Sequence, residues 1–144
     1  MPAVNLVQNL FNAIFAAFPA IASSFPGGYW PGEAPENTVP PYLVVSCVGA
    51  SSTSVYGKVL HQDPDIQFSV VALKIDQAMN LIVPVLTNYE DVILPLTGGG
   101  SITNMWTAHA PIPVLLGRDD STADSQNQDD VWMVSSTIHY VLSP

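Results

Sequence analysis

Three histidines are the first residues to weigh for chemistry. His61, His109 and His139 carry the imidazole nitrogens that bind zinc, yet no two stand at ligand spacing and no cysteine lies near them in sequence. They read as polar residues at strand ends, and no metal site is expected. The lone Cys47 rules out an internal disulfide and has no sequence-adjacent base to activate it. It falls inside an apolar strand pattern, so a buried, inert thiol is expected. Five acids, Asp119, Asp120, Asp124, Asp129 and Asp130, crowd residues 118–130. A calcium loop needs a central glycine for its turn and a closing bidentate glutamate, and this segment has neither. It reads as a solvated polar loop, or as an acidic patch displayed on an assembly. Gly98-Gly99-Gly100 shares only composition with a phosphate loop, since no lysine follows. No GxSxG elbow occurs, and the carboxylates show no partner that would split their pKa values into an acid and a base. The chain is not expected to be an enzyme. No catalytic residue, metal ligand or cofactor is assigned.

Composition points elsewhere. The 144 residues fit one domain, 1–144, with room for an ordinary core. Charged residues make up 10% of the chain, against roughly 25% in typical soluble domains. The hydrophobic share of 48% is ordinary, so the deficit is in charge, with Ser, Thr, Asn, Gln, Gly and Pro in its place. Charge keeps a monomer soluble, and its shortage suggests that much of the surface faces other subunits. The net charge is −9, with Lys58, Lys74 and Arg118 the only basic residues besides histidine. Three scattered cations cannot support binding driven by counterion release, so direct nucleic-acid binding is not expected. An acidic wall would suit a conduit past which DNA slides. Residues 10–23 look like a secretory signal ending in Ala20-Ile21-Ala22, but no Lys or Arg precedes Lys58, so the charged leader of such a signal is missing. No apolar run reaches the length of about 20 residues that a membrane span needs.

The elements that must position these residues follow from periodicity. Residues 4–18 predict a helix with Val7, Leu10, Phe11, Ile14 and Phe18 on one face and no charge anywhere, a helix that could be buried on both sides. Pro19 and Pro26 prevent a long continuation. Residues 25–41 are dense in Pro and Gly and predict a loop, with Tyr29 and Trp30 at its middle serving either monomer packing or an intersubunit contact. Residues 42–49 predict a strand apolar on both faces, as a strand covered on each side would be. A polar turn is expected at 50–54, a short strand at 55–61, a turn at Gln62-Asp63-Pro64 and a third strand at 66–73. That strand runs into a helix at about 76–88, with Ala78, Met79, Ile82, Leu86 and Tyr89 on one face and Pro84 kinking or ending it. Residues 91–96 suggest a short strand or extended edge, 97–101 a flexible link and 102–109 a strand. Pro111 and Pro113 mark a break before the short apolar run 114–117. Residues 131–142 predict a closing strand with Trp132, Val134, Ile138, Tyr140 and Leu142 facing one side, Ser136 among them. A strand feeding an amphipathic helix at 65–89 is half of a two-layer α+β core.

This order of elements resembles the tail terminator and tail-completion (head–tail joining) proteins of long-tailed bacteriophages. The residues that carry the likeness are Val39-Pro40-Pro41-Tyr42-Leu43-Val44-Val45 leading into a strand, the strand-to-helix unit 66–73 with 76–86, and the closing strand 131–141. Residues 91–96 and 98–113 have no counterpart in that pattern. The resemblance implies an α+β fold: a mixed, mostly antiparallel sheet of four to five strands with two helices packed on one face. It implies a ring, usually a hexamer, that caps the tail tube and joins it to the head or neck. The implied partners are copies of the chain itself, the tail-tube protein and a head-completion or neck protein, with DNA passing the lumen without specific binding and no membrane involved. The implied location is the virion tail or neck, after assembly in the host cytoplasm. Candidate interface residues are Phe11, Phe15, Tyr29, Trp30 and Trp106. The rival readings are a neck adaptor or tail-tube protein and, from another class, a small-molecule-binding module or enzyme with a pocket lined by His139, Tyr140 and acids.

Overall fold

Asn5 begins the first helix. Its side chain accepts a hydrogen bond from the Gln8 amide at 3.0 Å, satisfying one of the donors that a helix start leaves free. Helix α1 then spans Leu6–Ala17 and ends in two short 3-10 turns around Pro19. Strand β1 is Tyr29–Pro31, β2 is Tyr42–Val55 and β3 is Lys58–Ala72. Helix α2 covers Ile75–Tyr89, with Asp76 in its first turn where the helix dipole favours an acid. Strand β4 is Ser101–Arg118 and β5 is Asp130–Ser143. These elements come from a computed structural model that describes residues 5–56, 58–90, 93–118 and 130–144.

The fold is α+β. The five strands form one sheet in the order β1-β2-β3-β5-β4, antiparallel except for the β1–β2 pair. Strand residues alternate between faces, and the helices bury one face. On that side lie Leu43 and Val45 of β2, Ile66, Phe68, Val70 and Ala72 of β3, and Val134, Ile138, Tyr140 and Leu142 of β5. They meet Leu6, Leu10, Ala13 and Ile14 of α1 and Ala78, Ile82, Val85 and Tyr89 of α2. Tyr89 joins the layers. Its ring stacks on Phe68 at 4.7 Å, its hydroxyl donates to the Ile14 carbonyl at 2.9 Å, and its own carbonyl accepts from the Tyr140 hydroxyl at 3.0 Å. Ser136, alone in polarity on the apolar face of β5, donates to the His109 carbonyl at 2.9 Å, where irregular β4–β5 pairing calls for a side-chain partner.

Several expectations are corrected. Residues 50–54 are not a turn, nor are Gln62-Asp63-Pro64: β2 and β3 form one long hairpin in which Ala50 faces Pro64 and Ser51 faces Asp63. The ladder on both sides outweighs the local turn chemistry, with an irregularity between Cys47 and Gly49 and a β3–β5 register that passes over 63 and 64. Likewise Pro111 and Pro113 do not end β4. It is an edge strand, where a missing amide is tolerated, and shifts of register between His109 and Ile112 absorb the distortion. Tyr29 and Trp30 belong to a short parallel strand rather than a loop. Pro84 sits within α2, and Met79 lies outside the buried stripe while Val85 lies in it. Residues 93–96 are coil, and 91–92 fall outside the described residues.

Cys47 is exposed, not buried. Cys47 lies on the helix side of β2 directly opposite Ile66, which is buried in the core. The helices therefore cover the sheet at this level over β3 and leave the β2 flank open. The glycines before β4 are not a loose link either. Gly98, Gly99 and Gly100 all have positive φ, and Asn9 Nδ2 donates to the Gly99 carbonyl at 2.9 Å. A Cβ on Gly100 would lie 2.4 Å from Leu6 Cδ2 and 2.9 Å from the Ser143 carbonyl oxygen. Gly100→Ala should therefore cost more than about 1 kcal/mol, read as a lower urea midpoint, because strain and overlap add.

Candidate assembly surfaces

The helix layer presents an outer face almost without charge. Helix α1 has no ionic residue and α2 has only Asp76. A helix facing water normally carries its charges there. Here the outward positions include Phe15, which is 62% exposed, Val83 at 59%, and Met79. Phe15 meets Tyr29 edge to face at 5.5 Å, and Phe18 lies 5.4 Å from the same ring. Burial pushes the Tyr29 phenol up to about 12. Phe11 is half-buried against the core.

Among the described residues, no helix covers the opposite face of the sheet. Near the Ala72 end of β3 that face is largely uncharged. Tyr42, Val44 and Ser46 of β2, Gln67, Ser69 and Val71 of β3 and Met133 of β5 line a groove of about 350 Å³, flanked by Gly32–Ala34 on one side and Leu116 of β4 on the other. Ile112 and Val114 continue the row along β4, opposite Ser135 and Met133. Ile112 is 58% exposed and Leu116 51%. Ser69 and Ser135 satisfy each other across the groove floor, with hydroxyls 2.9 Å apart. Partial burial raises the Tyr42 phenol.

Toward the other end the same face turns polar. His139 Nδ1 pairs with Asp65 Oδ1, and Trp106 stacks on the imidazole at 4.4 Å. His61 Nε2 lies 3.6 Å from Asp63, whose carboxylate also accepts from Ser51 at 3.4 Å. His61 and His139 are thus strand residues held by neighbouring acids, and His109 is exposed beside a register shift. Among the described residues, no three His, Cys, Asp or Glu side chains converge as metal ligands would.

The candidate interface residues therefore fall on two sides of the molecule. Phe11, Phe15 and Tyr29 are on the helix side. Trp30, the next residue along β1, points to the open face and donates from Nε1 to the Gly27 carbonyl at 2.8 Å, and Trp106 lies on that face too. Asp119, Asp120, Asp124 and Asp129 lie outside the described residues, and Asp130 opens β5. Sequence reasoning missed the apolar row of the open face. Its signal was present: Ile112, Val114 and Leu116 alternate, and residues 42–49 are apolar on both faces.

No family model and no curated protein matches this chain by sequence. The architecture nevertheless has a counterpart among solved structures. A chain in the virion of a native gene transfer agent (GTA) particle superposes with a TM-score of 0.67, over 99% of this chain and 100% of that one, at 13% identity. The two chains share a fold. At that identity the likeness speaks for the arrangement of strands and helices, not for any particular side chain.

Proposed function

We propose that this chain is a structural protein of a phage-like virion, a tail terminator or tail-completion protein that forms a ring on the tail tube and joins it to the head or neck. The observation that carries the reading is the full-length likeness to a chain of a gene transfer agent virion. The surface chemistry supports it: a helix layer with a single ionic residue and a sheet face that is largely uncharged, with exposed apolar side chains, are costly in a free monomer and useful in an assembly. In this reading the chain binds copies of itself in a ring, usually a hexamer for such proteins, together with the tail-tube protein and a neck protein. Its acidity lets DNA pass the lumen without sticking.

The role proposed is assembly, not catalysis. His139 and Tyr140 are successive residues of β5 and point to opposite faces, one to Asp65 and one to the Tyr89 carbonyl. They do not share one pocket, which supports the assembly reading over a site built from that pair.

Light scattering after size exclusion, across protein concentration and with tail-tube protein added, tests the proposal. The expected result is a closed ring of fixed mass, formed alone or on the tube. Unlimited tubes of this chain by itself would favour the tail-tube reading. A strict monomer that also ignores the tube protein would overturn the assignment.

A further inference from the structure

The geometry points to a heterologous contact between copies, in which the outer helix face of one copy (Phe15, Met79, Val83) packs onto the open sheet face of the next (Val44, Met133, Leu116). This inference rests on the ring reading above and names the surfaces that would build it. Three observations carry it.

First, β2 reads as a strand covered on both sides, yet the helices of its own chain cover only one. Sheets with two apolar faces are completed by a second layer, and helices are the usual one. Second, the two surfaces match in charge. The helix layer offers one ionic residue, Asp76, and the groove side chains include one, Glu33 at its rim. Neither face would strand an unpaired charge on the other. Third, the groove of about 350 Å³ has room for projecting apolar side chains, and Phe15, Met79 and Val83 project.

The two surfaces lie on opposite sides of the sheet, so the contact cannot be reciprocal within a pair. It passes from copy to copy and closes into a ring when the rotation allows. The open face of one copy then becomes the second wall of its neighbour's helices.

The test uses the full chain with Val83→Asp on the helix side and Leu116→Asp on the sheet side, both at exposed positions. Phe15→Asp and Val114→Asp serve as second choices if either variant fails to fold by circular dichroism. Each variant alone should stay monomeric at concentrations at least tenfold above those at which the parent chain assembles. An equimolar mixture should stop at a one-to-one heterodimer, because each variant retains the face that the other has lost. The mass is read by light scattering, with and without tail-tube protein. A ring that survives either substitution, or a mixture that stays monomeric, overturns this contact and leaves the ring standing. A parent chain that never assembles, even on the tube protein, overturns both.

Discussion

Tyr89→Ala is expected to be the most destabilising single substitution in the core. Its ring is fully buried, stacks on Phe68 and carries the hydroxyl that ties α2 to the Ile14 carbonyl of α1. Removing a buried aromatic ring leaves a cavity that the sheet and two helices cannot all close, at a cost of about 3–5 kcal/mol. With a urea dependence of about 1–3 kcal/mol per molar, the unfolding midpoint should fall by about 2 M. That is a large part of the roughly 5–15 kcal/mol that holds a domain together. Tyr89→Phe keeps the ring and loses only the hydroxyl contact, so it should cost about 1 kcal/mol. Equal midpoints for the two variants would show that packing of this ring is not what joins the layers.

Alkaline pH should unfold the protein through its buried phenols. Burial raises Tyr89 and Tyr140 above the ordinary value, with the neighbouring phenol and, at Tyr140, Glu90 adding to it, and raises Tyr29 as well. A raised folded-state pKa means that the native state holds these protons longer than the unfolded chain does. The stability they contribute is complete below about pH 10 and is lost as pH climbs above it. Each phenol kept protonated only in the native state removes up to about 1.4 kcal/mol per pH unit in that range. Urea midpoints should be level from pH 8 to 9.5 and drop between 10 and 12. Tyr140→Phe should start lower at pH 8, having lost the bond to the Tyr89 carbonyl, and fall less steeply above pH 10. A parent midpoint that stays flat to pH 12 would contradict the burial of these hydroxyls.

Both expectations concern the covered face of the sheet, while the proposed function concerns the uncovered one. The division is visible along β5. Val134, Ser136, Ile138, Tyr140 and Leu142 build the core, and the residues between them, Met133, Ser135 and His139, belong to the open face. A one-residue slip would exchange the two sets, so the register that stabilises the monomer also fixes what it shows to a partner.

The sequence by itself determined the α+β class, the two helices, the closing strand with its buried alternation, and the shortage of charge that points to an assembly. These depend on period and composition, which are local and leave their mark residue by residue. Tertiary structure decided the rest. Turn signals at 50–54, 62–64 and 111–113 were overruled because the pairing that runs before and after each segment offsets a locally unfavourable residue. Cys47 came to the surface because the helices cover its partner Ile66 on β3 but not the β2 flank, a tertiary arrangement that no local window contains. The open apolar face was hidden in a strand that looked doubly buried. Periodicity reports that two faces are apolar, and only the packed fold reveals that both described helices lie on one of them.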